Sequence, residues 1–235
     1  MKDDEIKYLG VGIYTVSEVS RLTGIPTQRV RRWMAGYHFK YHNEIHSSDS
    51  LWQLPIQKGS NDLILTFLDM IELRFVEKLR NETGMSLQFI RQVYQRAMTD
   101  YQFSHPFSTL RFKTDGQAIF IEELESSGER RLLDLFRREY AFHEILKPIL
   151  KDLDYDDKVT THWWPYTDKR VVIDPTRCFG KPIVTDEGIK TSTLYDSYLA
   201  EEKSVSVVSK WYEVSISSVE AAIDFEESLN RKLAA

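Results

Sequence analysis

The sequence predicts a mainly α fold with small β elements (α+β). We read it as an N-terminal winged helix-turn-helix domain joined to a small C-terminal domain with short strands and a second helix-turn-helix. Three observations predict this. Thr15–Trp33 and Ser204–Ala222 share one apolar skeleton at a constant offset of 189 residues: Val16 matches Val205, Val19 Val208, Leu22 Trp211, Ile25 Val214 and Val30 Val219. Those are the positions two short helices need to pack across a tight turn. Longer runs at helical spacing fill the middle of the chain, and short strand-like runs separate them.

In chain order, Thr15 or Ser17 caps a first helix whose inner face is Val16, Val19 and Leu22. Gly24 supplies the turn and Pro26 suits the start of the next helix, where a missing N–H costs nothing. Val30, Trp33 and Met34 face inward there. Residues 37–60 are irregular and have room for a wing, with Leu51–Leu54 a short strand stopped by Pro55. Asn61 or Asp62 opens a helix through Leu63, Phe67, Met70, Ile71, Phe75 and Leu79, which Gly84 ends. Ser86 caps another, carrying Leu87, Ile90, Val93, Tyr94 and Ala97. Thr109–Ile121 alternates around Asp115-Gly116 and reads as a hairpin. Helical spacing returns from Arg130 to Leu150; an acidic joint, Lys151–Asp157, follows, then strand-like Val159–Tyr166, Val171–Ile173 and Ile183–Val184, then helices. This gives domains at 1–100 and 158–235, with 101–157 a hairpin and helical connector.

Composition narrows the function. With 235 residues and 42% hydrophobic residues the chain can bury a real core. A net charge of −5 argues against a general nucleic-acid coat, so any DNA contact needs a local basic face. One cysteine, Cys178, leaves no disulfide framework and suits a reducing cytoplasm. The start, Met1–Glu5, lacks a signal peptide's apolar core, and no run approaches membrane-spanning length. A cytoplasmic location is expected.

The second helix of the first pair carries Thr27, Gln28, Arg29, Arg31 and Arg32 outward, the residue types that read base edges, with Arg29 and Arg32 expected to contribute most. Arg21 and Lys40 are placed where phosphates run. The plain alternative for these arginines is a solvated helix face. The second pair lacks such a face: Glu220, Asp224, Glu226 and Glu227 stand on its outer helix, and no basic residue precedes Arg231. Ser215, Ser217 and Ser218 remain possible phosphate contacts, but a protein partner or a second copy fits the acids better. His38, His42 and His46 recur every four residues, a metal-like spacing set among loop-forming residues, so wing or surface positions are expected instead. Gly180-Lys181 is no phosphate loop, because Pro175 and Pro182 occupy the required glycine and Ser/Thr places. Trp163, Trp164 and Tyr166 read as core or interface. Cys178 has no histidine partner in view, and Glu122, Glu123 and Glu125 read as a solvated stretch. We expect no enzyme, cofactor or metal.

Two resemblances follow from these residues. Tyr14–Pro26, Arg29–Trp33, Leu65–Leu73 and Gly84–Arg91 together resemble the DNA-binding domain of MerR-type regulators. Such proteins continue into a long dimerising helix, whereas Asp100–Pro106 breaks the pattern here. Val172–Val184, Ser204–Tyr212 and Ser218–Glu226 resemble a small domain of VapB-like antitoxins, with Thr185–Ile189 in place of the usual Gly-Thr-Arg turn. The resemblance implies an antitoxin that captures a PIN-domain ribonuclease toxin and represses its own operon by binding operator DNA; a homodimer is expected because one short recognition helix rarely supplies enough specificity alone. Residues 101–130 or 150–170 are then candidates for the toxin-binding segment. A MerR-like regulator sensing a ligand without a toxin stays open beside it.

Overall fold

The computed structural model describes residues 10–53, 56–58, 62–137 and 141–234. The readings at Met1–Glu5, Leu54-Pro55 and Asn61 lie outside the described residues. The fold is mainly α with small β elements.

β1 (Ile13–Thr15) leads into α1 (Val16–Thr23). Thr15 and Glu18 form a reciprocal capping box at its start. Gly24, at φ 79°, ends it, and α2 (Thr27–Ala35) follows after Pro26. Next come the hairpin β2 (Tyr37–Tyr41) and β3 (Glu44–Ser48), turned by His42 and Asn43 at φ 47° and 64°. Positive φ at both central residues is the two-residue turn that matches strand twist. β4 (Ile56–Lys58) and β5 (Asp62–Thr66) complete a three-stranded sheet in the order β1-β5-β4.

Two expectations shift here. Residues 62–66 are strand, and the helix begins at Phe67, because Thr66 and Asp69 form the capping box that marks its true start. Leu51 and Trp52 are not a strand. The Leu51 N–H binds Trp33 O at 2.8 Å, and the Trp52 indole N–H binds Asp69 Oδ1 at 2.7 Å, so this corner is tied to the helices on either side.

The long helices α3 (Phe67–Thr83) and α4 (Leu87–Tyr101) are followed by a 3-10 turn at Pro106–Ser108, then α5 (Leu110–Ser127), α6 (Arg130–Arg137) and α7 (Ala141–Leu150). The expected hairpin at 109–121 is therefore a helix. Thr109 caps it by accepting from Phe112 N. Gly116 is there for packing rather than for a turn: a Cβ would come within 2.8 Å of the Phe112 ring and 2.9 Å of Phe142. Phe112, Phe120, Phe136 and Phe142 cluster around this point, Phe120 and Phe136 stacked and the other pairs tilted or edge-on. Gly116→Ala gains about 1 kcal/mol of helix propensity but overpacks rigid rings, at a cost of about 1–3 kcal/mol. A lower urea midpoint with unchanged slope is the expected result.

β6 (Leu153–Tyr155) pairs with β7 (Thr160–Trp163), and β8 (Val171–Val172) with β9 (Ile183–Val184). The acidic joint packs onto α3: Asp152 takes Arg74 at 2.5 Å and the Trp163 indole at 3.0 Å, with the Arg74 guanidinium 4.0 Å from the Trp163 ring. α8 (Thr191–Ala200), α9 (Val205–Tyr212) and α10 (Ile216–Ala234) finish the chain. The starts of α9 and α10 fall at the same 189-residue offset from α1 and α2, and Glu213 takes Gly24's left-handed place at φ 54°. One matched position breaks: Leu22 is buried, whereas Trp211 is 64% exposed. α10 serves two cores, with Phe225 and Leu229 in the main one and Val219 and Ala222 in a smaller cluster against α8 and α9.

A buried polar network crosses the centre of the main core. Glu72 accepts N–H bonds from Ser108 at 2.8 Å and Phe107 at 3.3 Å, and Asp69 faces His105 at 3.1 Å. Burial pushes the Glu72 carboxyl up to about 8, against the opposing pull of His105 and those N–H groups. A carboxyl raised from 4.5 holds its proton more firmly when folded, so its contribution is full below that value and is lost as pH rises through about 8. His105 acts in the same direction: burial lowers its affinity for a proton, and Asp69 more than offsets this. Glu72→Gln should therefore melt above wild type at pH 8 and no higher at pH 5, in melting curves collected across that range. Among the described residues no helix is long and apolar enough to cross a membrane.

Candidate nucleic-acid interface

α2 buries Val30, Trp33 and Met34, which turns Thr27, Gln28, Arg29, Arg31 and Arg32 to the surface. Gln28, Arg29 and Arg32 line a groove of about 1010 Å³ between α2, the β2–β3 hairpin and the α3–α4 turn. Arg32 lies with its guanidinium 4.0 Å from the Tyr37 ring, held by a cation–π contact. Arg29 binds Glu77 at 2.5 Å on α3. Thr27 and Arg31 are exposed on the same helix outside the groove, and Lys40 is exposed on β2.

The groove also draws in residues that the sequence reading passed over. Arg80 and Arg91 come from α3 and α4, and Ser86 and Gln88 from the start of α4. Arg91 donates to Ser50 O at 2.8 Å and Asp49 O at 2.5 Å, which fixes the end of the hairpin against α4. Among the described residues that line the groove, four arginines stand against one carboxylate, Asp49, with Glu77 paired to Arg29 beside them, in a chain whose net charge is negative. The signal for the second pair was present in the sequence: a Ser-capped helix start offers free N–H groups to an anion.

Arg21 is placed elsewhere. Its guanidinium binds Glu226 Oε2 at 2.5 Å, and Glu226 Oε1 accepts from Thr191 Oγ1 at 2.5 Å. Arg21 therefore ties α1 to α10. The Gly180-Lys181 pair does similar work. Tyr14 Oη donates to Gly180 O at 2.5 Å, and Lys181 reaches Ile13 O and the Glu18 carboxylate.

The α9–α10 pair has a different surface. Glu220 and Asp224 face out from α10, while Glu226 turns inward. Glu187 already sits at the α10 N-terminus, accepting from Ser215 N at 3.2 Å and Ser218 Oγ at 2.9 Å. A carboxylate occupies the place where a phosphate would dock. Trp163 is core, Trp164 binds Asp154 at 2.6 Å, and Tyr166 Oη lies 2.7 Å from Ser228 Oγ. His38 and His46 stand on opposite strands of the hairpin, with His42 at its turn. Cys178 Sγ lies 3.7 Å from Gly188 O. No group of three His, Cys, Asp or Glu among the described residues is disposed to hold a metal ion.

Comparison with known proteins adds three likenesses. A family model described as "Protein of unknown function (DUF433)" matches residues 171–225. Over 195 residues the chain is 26% identical to "Putative antitoxin VapB45" of Mycobacterium tuberculosis (strain ATCC 25618 / H37Rv), covering 77% of this chain and 80% of that protein. The crystal structure of Rv2018 from Mycobacterium tuberculosis has a similar fold, with a TM-score of 0.66 at 21% identity over 92% of this chain and 99% of that one.

Proposed function

We propose that this protein is a DNA-binding antitoxin. On this reading it grips operator DNA through α2 and the β2–β3 hairpin, captures a PIN-domain ribonuclease toxin, and represses its own operon as a homodimer. The observation that carries the DNA half is the groove in which Arg29, Arg32, Arg80 and Arg91 converge beside Gln28. Arginine forks match guanine edges and phosphates, and Gln matches adenine. The similarity to an antitoxin, over most of both chains, supports the toxin half.

The two helix pairs then divide the work. α2 presents arginines, whereas α10 presents carboxylates and has its N-terminus filled by Glu187. An acidic helix gains no counterion release on DNA, but it complements a basic RNA-binding surface on a nuclease. Two copies of α2 in a dimer would read half-sites about 34 Å apart.

Co-expression tests this reading. The full chain should restore growth to cells expressing the nuclease encoded beside its own gene, co-purify with it in fixed ratio, and silence its ribonuclease activity. Failure to neutralise or retain any such nuclease overturns the antitoxin reading, while leaving the DNA reading to its own test.

A further inference from the structure

A recess of about 530 Å³ opens where the lead-in to β1, the start of α3, the 103–105 segment, β7 and the 174–176 loop meet. That size lies within the range of small-ligand sites. Its walls are largely apolar, with Val11, Phe67, Leu68, Phe103 and Val159 among them. Neither the DNA groove nor the α9–α10 surface uses it.

Three titratable side chains line it among the described residues, His105, His162 and Asp174, and they are not equivalent. His105 is spoken for on both ring nitrogens: Nε2 faces Asp69 at 3.1 Å and Nδ1 faces Ser104 Oγ at 3.0 Å. Asp69, whose carboxyl is held low against its own burial by His105 and the Thr66 donors, is its partner on the core side. Asp174 is 6% exposed. Its Oδ1 accepts from Thr176 N at 2.8 Å and from Thr176 Oγ1 at 2.6 Å. Among the described residues its Oδ2 faces His162 Nε2 at 3.5 Å, longer than a good hydrogen bond. The carboxylate of a largely buried aspartate, one oxygen of which lacks a short donor among the described residues, favours an incoming cation with N–H groups at the edge of this apolar recess.

We infer that this recess binds a small molecule with an apolar body and a single protonated amine, the amine meeting Asp174 and the body lying against Phe67, Phe103 and Val159. The site is independent of the antitoxin reading, and its test uses neither toxin nor DNA.

Ligand-observed NMR on the full chain at pH 7 compares three probes that share a phenyl ring and a two-carbon chain: 2-phenylethylamine, 2-phenylethanol and phenylacetate. The amine should bind at least tenfold tighter than the alcohol, and phenylacetate weakest. Asp174→Asn should erase the preference. Val159→Trp, at the half-buried rim, should block all three probes with the melting curve of wild type. Equal binding of the three, no saturable binding, or full binding to Val159→Trp overturns the proposal. Should Asp174→Asn fail to fold, the probe ranking and the rim variant still decide it.

Discussion

Arg21→Met is expected to destabilise the protein more than the double variant Arg21→Met/Glu226→Met. Glu226 is 2% exposed, and its carboxylate has two partners, Arg21 at 2.5 Å and Thr191 at 2.5 Å. Removing the guanidinium leaves a buried charge held by one hydroxyl. Breaking a buried pair in this way costs about 3–5 kcal/mol; the low end applies because about a third of the Arg21 side chain reaches solvent. Replacing both partners with methionine removes the charge together with the need for its partner, and such swaps are close to neutral. Urea midpoints for wild type, both singles and the double give the coupling directly. A single variant within about 0.5 kcal/mol of wild type would show Arg21 to be an ordinary surface residue, and would return it to the phosphate-contact role its sequence position invites. The expected cycle makes it a tie between α1 and α10, so that the helix packing against α2 and the acidic helix form one block.

That case shows what could be read in advance and what could not. The helix pairs were legible because their apolar spacing is local. Val16, Val19, Ile25 and Val30 are buried in the first pair, as Val208, Val214 and Val219 are in the second. The helix starts of the two pairs keep the same offset. The mainly α character was legible for the same reason. Arg21 was not, because its partner lies 205 residues away and nothing on α1 announces it. The misread hairpin at 109–121 has a local cause: Asp115-Gly116 is a turn signal, but the glycine answers to Phe112 and Phe142 across the helix packing. The start of α3 was misplaced because Leu63 fits a helical stripe, while β1 and β4 claim residues 62–66 by strand pairing. At the groove, Gln28, Arg29 and Arg32 were read from one helix. Arg80 and Arg91 required knowing that α3 and α4 flank the hairpin, and that is tertiary information.

The double variant Arg29→Ala/Arg32→Ala should lose about two orders of magnitude in operator affinity near 0.1 M salt, since each lost arginine contact is worth about 1–3 kcal/mol. The two arginines reach that loss by different routes. Arg32 is already held against Tyr37, so it would meet DNA with little freedom left to lose. Arg29 would have to exchange Glu77 for a DNA partner. Glu77→Gln should therefore tighten binding several-fold by releasing Arg29, an effect absent in the Arg29→Ala background. Lysine replacements separate the two kinds of contact. Arg29→Lys/Arg32→Lys keeps the charge and the slope of affinity against salt, but it loses the planar fork, and with it the preference for operator over scrambled DNA. The alanine pair should lose both preference and slope, the latter by about one for each phosphate contact removed. Equal affinity, slope and preference in wild type and the alanine pair would make the arginine face of α2 a solvated surface and move DNA recognition off this groove.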